Sequence, residues 1–326
     1  MRNLIAIVAG EPNSINSEII SNSWKACNTN LRKDIFVIGN YLLLKNQLKI
    51  IKSKISITRI ENLNDLNNNY NSNNLRIFDI PLKFKNPFNV KIEESSQYIL
   101  RSLDLANEFA IKNKIKGFIN CSINKKNVFK LNKLGVTEYL SKKNKTNNAE
   151  VMLIYSKNLS VVPITTHISI KDISKRISKK LIIKKIKTLS SNYLKIFKKK
   201  PKIALLGLNP HNDELRINSE EKKIILPAIK SLIKQKIDVL GPFSADTIFS
   251  QQKKYKYNVI VGMYHDQVLA PFKAIYNFNA INITLGLKYL RVSPDHGTAK
   301  DIIGLNKANH LSLLYSIKFI LKHNLV

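Results

Sequence analysis

Apolar residues fall in short blocks along the chain, and the blocks have two kinds of spacing. Continuous apolar runs at 4–9, 35–38, 117–120, 159–164, 203–208, 237–240 and 258–263 read as buried strands. Gly10-Glu11-Pro12 and Gly39-Asn40 stop the first two. Residues 15–27 and 94–112 carry apolar positions at helical spacing, the latter at Ile99, Leu103, Leu105 and Phe109. A long basic stretch at 171–200 repeats Ile173, Ile177, Leu181, Ile182 and Ile186 and reads as one amphipathic helix. Residues 61–74 are Asn-rich and of low complexity, which reads as a loop. Strand-like and helical runs alternate to the C-terminus, as in parallel βα units and unlike an all-β or all-α fold. No internal repeat is visible.

The chain has 326 residues, enough for one large or two smaller α/β lobes with a core that needs no staples. Its two Cys, Cys27 and Cys121, exclude a disulfide framework and fit a reducing compartment. No apolar run approaches 18 residues, and 4–9 is too short for a signal segment. The expectation is a soluble cytoplasmic protein with no membrane partner.

A formal charge of +32 first suggests a polyanionic partner. The basic residues, however, are 46 Lys and only 8 Arg, alongside 46 Ile and 39 Asn. These are the residues of A- and T-rich codons, so the charge reads as compositional drift on solvated faces. Arg, which supplies forked readout of bases and phosphates, is scarce. Nucleic acid is not the expected partner.

Three of the six His share a context. His167, His211 and His265 each lie at or just past the carboxyl end of an expected strand. In a parallel sheet those ends share one edge, where α/β enzymes bind ligands. Any one of these His reads most simply as a polar loop residue. Three in matching positions suit a zinc-type centre with an open coordination position. Asp246, after the 237–240 strand, and Asp266 add carboxylates near the same ends. Lys273, Asn282 and Arg291 interrupt otherwise apolar segments and would suit an anion clamp. As one Lys among many, Lys273 by itself reads most simply as surface charge.

Five segments carry a resemblance. They are Gly207-Leu208-Asn209-Pro210-His211, Gly241-Pro242-Phe243-Ser244-Ala245-Asp246-Thr247-Ile248-Phe249, Met263-Tyr264-His265-Asp266-Gln267, Asn282-Ile283-Thr284-Leu285-Gly286-Leu287 and Ser293-Pro294-Asp295-His296-Gly297-Thr298-Ala299. Gly10-Glu11-Pro12, Gly135-Val136-Thr137-Glu138 and Thr165-Thr166-His167 match more loosely. In this order and spacing the chain resembles the 4-hydroxythreonine-4-phosphate dehydrogenases of vitamin B6 biosynthesis.

The resemblance implies two α/β/α lobes around a cleft, like isocitrate and isopropylmalate dehydrogenases and unlike a Rossmann fold, with approximate lobes 1–130 plus 286–326 and 131–285. It implies a homodimer and NAD-dependent (or NADP-dependent) oxidation of a small phosphorylated amino acid, followed by decarboxylation. It implies a divalent metal, usually zinc (magnesium or cobalt as alternatives), on His167, His211 and His265, the third reaching the site from the partner subunit. Substrate contacts carry over to Thr137, Lys273, Asn282 and Arg291, and nicotinamide-cofactor contacts to His296, Gly297 and Thr298. Asp246 and Asp266 are the candidate proton acceptors. Alternatives are a dehydrogenase of another phosphorylated hydroxy acid, or a catalytically weakened basic scaffold that binds nucleic acid.

The chain departs from the family pattern at defined positions. The family's first loop, G-D-P-x-G-I-G-P-E, is here Gly10-Glu11-Pro12-Asn13-Ser14-Ile15-Asn16-Ser17-Glu18. Ser122 stands for Pro in T-x-P-I-x-K, and Val136 for His in G-H-T-E. Asn212-Asp213-Glu214-Leu215 replaces a glycine-rich stretch, and Val268 replaces the Gly after H-D-Q.

Overall fold

The computed structural model describes residues 3–68, 73–129, 135–277 and 280–325. The chain divides into two compact units, Met1–Lys133 with Lys288–Asn324, and Leu134–Leu287 with Leu325–Val326. In each, helices pack against parallel and mixed strands.

In the first unit the sheet order is β3-β4-β2-β1-β5-β12, from β1 (Ile5–Val8), β2 (Ile35–Gly39), β3 (Ser56–Ile60), β4 (Asn74–Asp79), β5 (Gly117–Asn120) and β12 (Leu290–Pro294). All its pairings are parallel. Strands β1, β2 and β5 are buried on both faces, which is why they read as unbroken apolar runs. Because β1, β5 and β12 are neighbours, their carboxyl ends bring Gly10-Glu11, Cys121-Ser122 and Asp295-His296 to one edge. The helices Ile92–Ile111 and Leu311–Lys322 pack against this sheet and bury Ile99, Leu103, Leu313 and Ile317, while Asn16–Ala26 packs on Leu311–Lys322 and on the helix Tyr41–Ile50 with Ile19, Ile20 and Trp24 buried.

In the second unit the order is β11-β6-β7-β10-β8-β9, from β6 (Val151–Tyr155), β7 (Ser160–Pro163), β8 (Ile203–Leu206), β9 (Val239–Phe243), β10 (Val259–Gly262) and β11 (Ile281–Leu285). The strands β7, β10, β8 and β9 run parallel. The expected parallel βα units are interrupted by β6, which pairs antiparallel with both β7 and β11. Only four residues separate β6 from β7, and a parallel crossover needs a dozen or more.

Two further expectations change. The 171–200 stretch is not one helix: a short helix Ile173–Arg176 is followed by Ile177 in extended backbone, and Lys179–Phe197 then begins afresh. Ser178 causes the restart, because its hydroxyl accepts the Leu181 N–H at 3.2 Å as an N-cap. The Asn-rich loop is shorter than read. Asp65–Asn68 is helical and β4 begins at Asn74, while 69–72 lie outside the described residues.

Candidate active site

Three of the parallel strands of the second unit end in His-bearing turns. β7 leads to His167, β10 to His265 and β8 to His211, with Asp246 beyond β9. Since the order is β7-β10-β8-β9, the expected strand-end histidines occupy one sheet edge. The two turns on adjacent strands are tied together. Ile164 N–H bonds to Gly262 O at 2.8 Å, and the Thr165 hydroxyl donates to Met263 O at 2.7 Å. Gln267 then ties the β10 turn to β8: its carbonyl accepts Met263 N–H and its amide donates to Gly207 O, both at 2.7 Å.

This bracing sets the His167 and His265 rings 6.2 Å apart between centroids. His167 Nδ1 lies 3.2 Å from Glu138 Oε1, and His265 Nδ1 lies 2.7 Å from Asp266 Oδ1. An ionised carboxylate can only accept, so each Nδ1 carries the donated proton and each Nε2 is left for another partner. Carboxylate-held imidazoles of this kind are the ordinary second layer of a metal centre. The donor chemistry of the pair therefore fits a divalent metal.

His211 stands apart from that pair. It is exposed, with φ +50°, and opens a turn in which Asn212, Asp213, Glu214 and Leu215 also have positive φ. Among the described residues, no three His, Cys, Asp or Glu side chains gather closely enough to hold a metal ion. The turn is anchored from below by buried Glu221, whose carboxylate accepts the Leu208 and Asn209 N–H groups at 2.7 and 2.8 Å.

Glu138 escaped the sequence reading. It is the third residue of the helix Val136–Lys143, and its Oε2 accepts the Gly135 N–H at 2.9 Å, as an acid three residues past an N-cap can. Its other oxygen accepts from the Thr166 hydroxyl at 2.9 Å as well as facing His167. Burial pushes the carboxyl pKa up, but the bond and charge of His167, a backbone N–H and the Thr166 hydroxyl outweigh it and set it at about 2. The capping pattern was legible. The contact with a ring 29 residues on was not.

Thr137, buried on the same helix, lies 3.3 Å from Thr284 between hydroxyl oxygens. Asn282 is two residues before Thr284 on β11, so the two share a face of the sheet. The Asn282 Oδ1 is buried without a hydrogen-bond partner among the described residues. Lys273 is half-buried on the helix His265–Tyr276. Asp266 is largely solvent-facing, with its side chain 77% exposed, and Asp246 is exposed at the start of Ala245–Ile248.

Arg291, Asn120 and the 295–298 loop belong to the first unit. Arg291 is buried on β12 and its Nε donates to Asn120 Oδ1 on β5 at 2.6 Å. The Thr298 carbonyl accepts the Ile15 N–H at 3.2 Å, which joins this loop to the first loop of the chain. His296 Nδ1 sits 2.9 Å from Gly297 O, and its buried Nε2 has no partner among the described residues. Burial lowers the His296 pKa, against the opposing influence of the Gly297 carbonyl and Asp295. The imidazole is thus held neutral, with an acceptor nitrogen turned to the interior.

Fold and site together define an α/β protein with candidate polar residues gathered at strand ends. The sequence model of "Pyridoxal phosphate biosynthetic protein PdxA" matches residues 31–320. A 4-hydroxythreonine-4-phosphate dehydrogenase of Sulfurihydrogenibium sp. is 34% identical over 320 residues, covering 96% of each chain. The crystal structure of the enzyme of that name from Klebsiella pneumoniae superposes with TM-score 0.84 at 28% identity, covering 98% of both chains. Isocitrate dehydrogenase from Methylococcus capsulatus shares the fold alone, with TM-score 0.50 at 11% identity over 98% of this chain and 85% of that one. The chain belongs to the PdxA family.

Proposed function

We propose that the chain oxidises 4-phosphooxy-L-threonine with NAD to 2-amino-3-oxo-4-phosphooxybutanoate, which decarboxylates to 3-amino-2-oxopropyl phosphate, in the formation of pyridoxal phosphate. The observation that carries the reading is the His167 and His265 pair, each ring held at Nδ1 by a carboxylate, in a chain of this family.

His167, His265 and His211 would hold one divalent metal, with zinc favoured by three imidazole donors. When bound, the metal lowers the pKa of the substrate hydroxyl and the nicotinamide accepts the hydride. Lys273 supplies a cation for an anionic group of the substrate, and Arg291 supplies a fork whose plane Asn120 fixes. Thr137 and Asn282 offer hydroxyl and amide groups to the polar atoms of the substrate. A carboxylate takes the hydroxyl proton. Asp266 already accepts from His265, which leaves Asp246 the less committed of the two candidates. The product carries a ketone β to its carboxylate, so loss of CO₂ is facile. His296, Gly297 and Thr298 would receive the cofactor, NAD or NADP.

We further propose a homodimer that completes the metal site. The turns bearing His167 and His211 also expose apolar side chains, Ile170 at 75% and Ile217 at 81%, where a covering surface removes apolar area from water. No helix among the described residues is long and apolar enough to cross a membrane, and the proposed place of work is the cytoplasm.

The test is NADH formation from the phosphorylated hydroxythreonine, with and without zinc, for wild type and His265→Ala. Metal-dependent turnover in wild type and near-complete loss in the variant are expected. Turnover only with a different phosphorylated hydroxy acid would reassign the substrate. No turnover with any, together with DNA binding that persists at physiological salt, would point to a basic scaffold instead.

A further inference from the structure

The first turn of the helix Val136–Lys143 holds two residues with different tasks. Thr137 is a proposed substrate contact, and Glu138 reaches across to the turn after β7. One oxygen of Glu138 caps its own helix through the Gly135 N–H at 2.9 Å. The other meets the Thr166 hydroxyl at 2.9 Å and His167 Nδ1 at 3.2 Å. Gly135 closes the other side of the same ring. A Cβ built there would stand 2.7 Å from Glu138 Oε2 and 3.2 Å from His167 Cε1. The imidazole is therefore fixed by a carboxylate at its edge and by bare backbone beside it, through residues that do not themselves bind metal or substrate.

We propose that Glu138 is the positioning residue for the metal ligand His167, fixing its Nδ1–H tautomer and ring orientation so that Nε2 is the nitrogen offered to a divalent cation. This rests on the reading of His167 as a ligand. A neutral amide cannot replace Glu138. Glu138 accepts at both oxygens, and glutamine presents one acceptor and one donor. Whichever way the amide turns, an N–H₂ group faces either the Gly135 N–H or the Thr166 and His167 donors.

The experiment titrates zinc into chelator-stripped protein by calorimetry and records the visible spectrum of the cobalt-loaded form. Wild type, Glu138→Gln, Glu138→Asp and His167→Ala are compared, and thermal melts of the stripped forms report the helix cap separately. Zinc affinity is expected to fall ten- to a hundred-fold in Glu138→Gln, the usual effect of losing such a carboxylate. The cobalt spectrum should shift toward that of His167→Ala. Glu138→Asp keeps charge and both acceptors, so it should fall between wild type and Glu138→Gln, and it serves if the amide variant does not fold. Wild-type zinc affinity and cobalt spectrum in a folded Glu138 variant, with loss in His167→Ala, would overturn the positioning role and leave the metal reading standing. If wild type binds no zinc, or His167→Ala binds it unchanged, both fall together.

Discussion

Asn16 and Ser122 hold each other through two hydrogen bonds. The Asn16 amide donates to Ser122 O and the Ser122 hydroxyl donates to Asn16 Oδ1, each at 2.9 Å. These are two of the positions at which the chain departs from its family, Asn for Gly and Ser for Pro. The departures answer one another across β1 and β5. Reverting either one alone leaves a polar group of the other short of a partner. Asn16→Gly and Ser122→Pro should each destabilise, and the double variant should be less destabilised than their sum by about 1 kcal/mol, roughly one net hydrogen bond. Urea unfolding of the four proteins measures the coupling. Strict additivity would show the substitutions to be independent.

Val136 is buried, 4% exposed, at the first position of its helix and beside Thr137. The family has His there, and Val can donate nothing to an anionic substrate. A hydrogen bond to a charged group is worth about 1.5–3 kcal/mol. Val136→His should lower the substrate KM several-fold or more with zinc content unchanged. An unchanged or worse kcat/KM at saturating NAD would mean that another group already fills the role.

The turn after β8 holds five consecutive non-glycine residues at positive φ, from His211 at +50° to Leu215 at +56°. For L-residues this region costs roughly 1–2 kcal/mol each, with Asn and Asp the most tolerant. Glu214 has φ +47°, is exposed, and pairs only loosely with Arg216 at 3.7 Å. Glu214→Gly relieves that cost and returns about 0.4–1 kcal/mol of it as added freedom of the unfolded chain. A net stabilisation of about 0.5–1 kcal/mol is expected in urea unfolding. Destabilisation would show that the side chain earns its place in this turn.

His296 gives a pH dependence of defined sign. Burial lowers its pKa in the folded chain, so the unfolded chain takes up the proton first as pH falls. Its contribution to stability is whole above the ordinary imidazole value of about 6.5 and is lost as pH falls through the folded value. The stability of wild type relative to His296→Gln should therefore decline from pH 7.5 to pH 5.5. A gap that stays constant or widens would contradict a neutral, half-buried imidazole.

Much of the scaffold was legible because buried parallel strands such as β1, β2 and β5 are apolar on both faces and stop at Gly or Asn. β6 and β3 were not. Val151–Tyr155 owes its place to antiparallel neighbours, and Ser56–Ile60 is a half-exposed edge strand whose alternation is diluted by Ser, Thr and Arg. The strand-end positions of His167, His211 and His265 followed from pattern alone. Which two of them become neighbours depended on the order β7-β10-β8, and sequence spacing carries no information about strand order. Glu138 was hidden for a related reason, since its contact crosses 29 residues of intervening chain.

The scarcity of glycine bears on the 295–298 loop. A chain drawn toward Lys, Asn and Ile codons keeps only 10 glycines in 326 residues, well under the usual share of about 7%. Retention under that pressure acts as a natural substitution scan. At Gly117 a Cβ would lie 2.1 Å from Leu290 O, and Gly304 has φ +76°. Crowding or left-handed backbone accounts in the same way for every glycine but Gly297. There a Cβ would meet nothing closer than Ala299 N at 4.0 Å, and φ lies outside the left-handed region. Neither folding nor packing demands the residue. Bare backbone facing outward there suits the proposed contact with a nicotinamide cofactor. Gly297→Ala should then leave the melting temperature unchanged while weakening NAD binding, so that mutational drift will have mapped a contact surface from the outside.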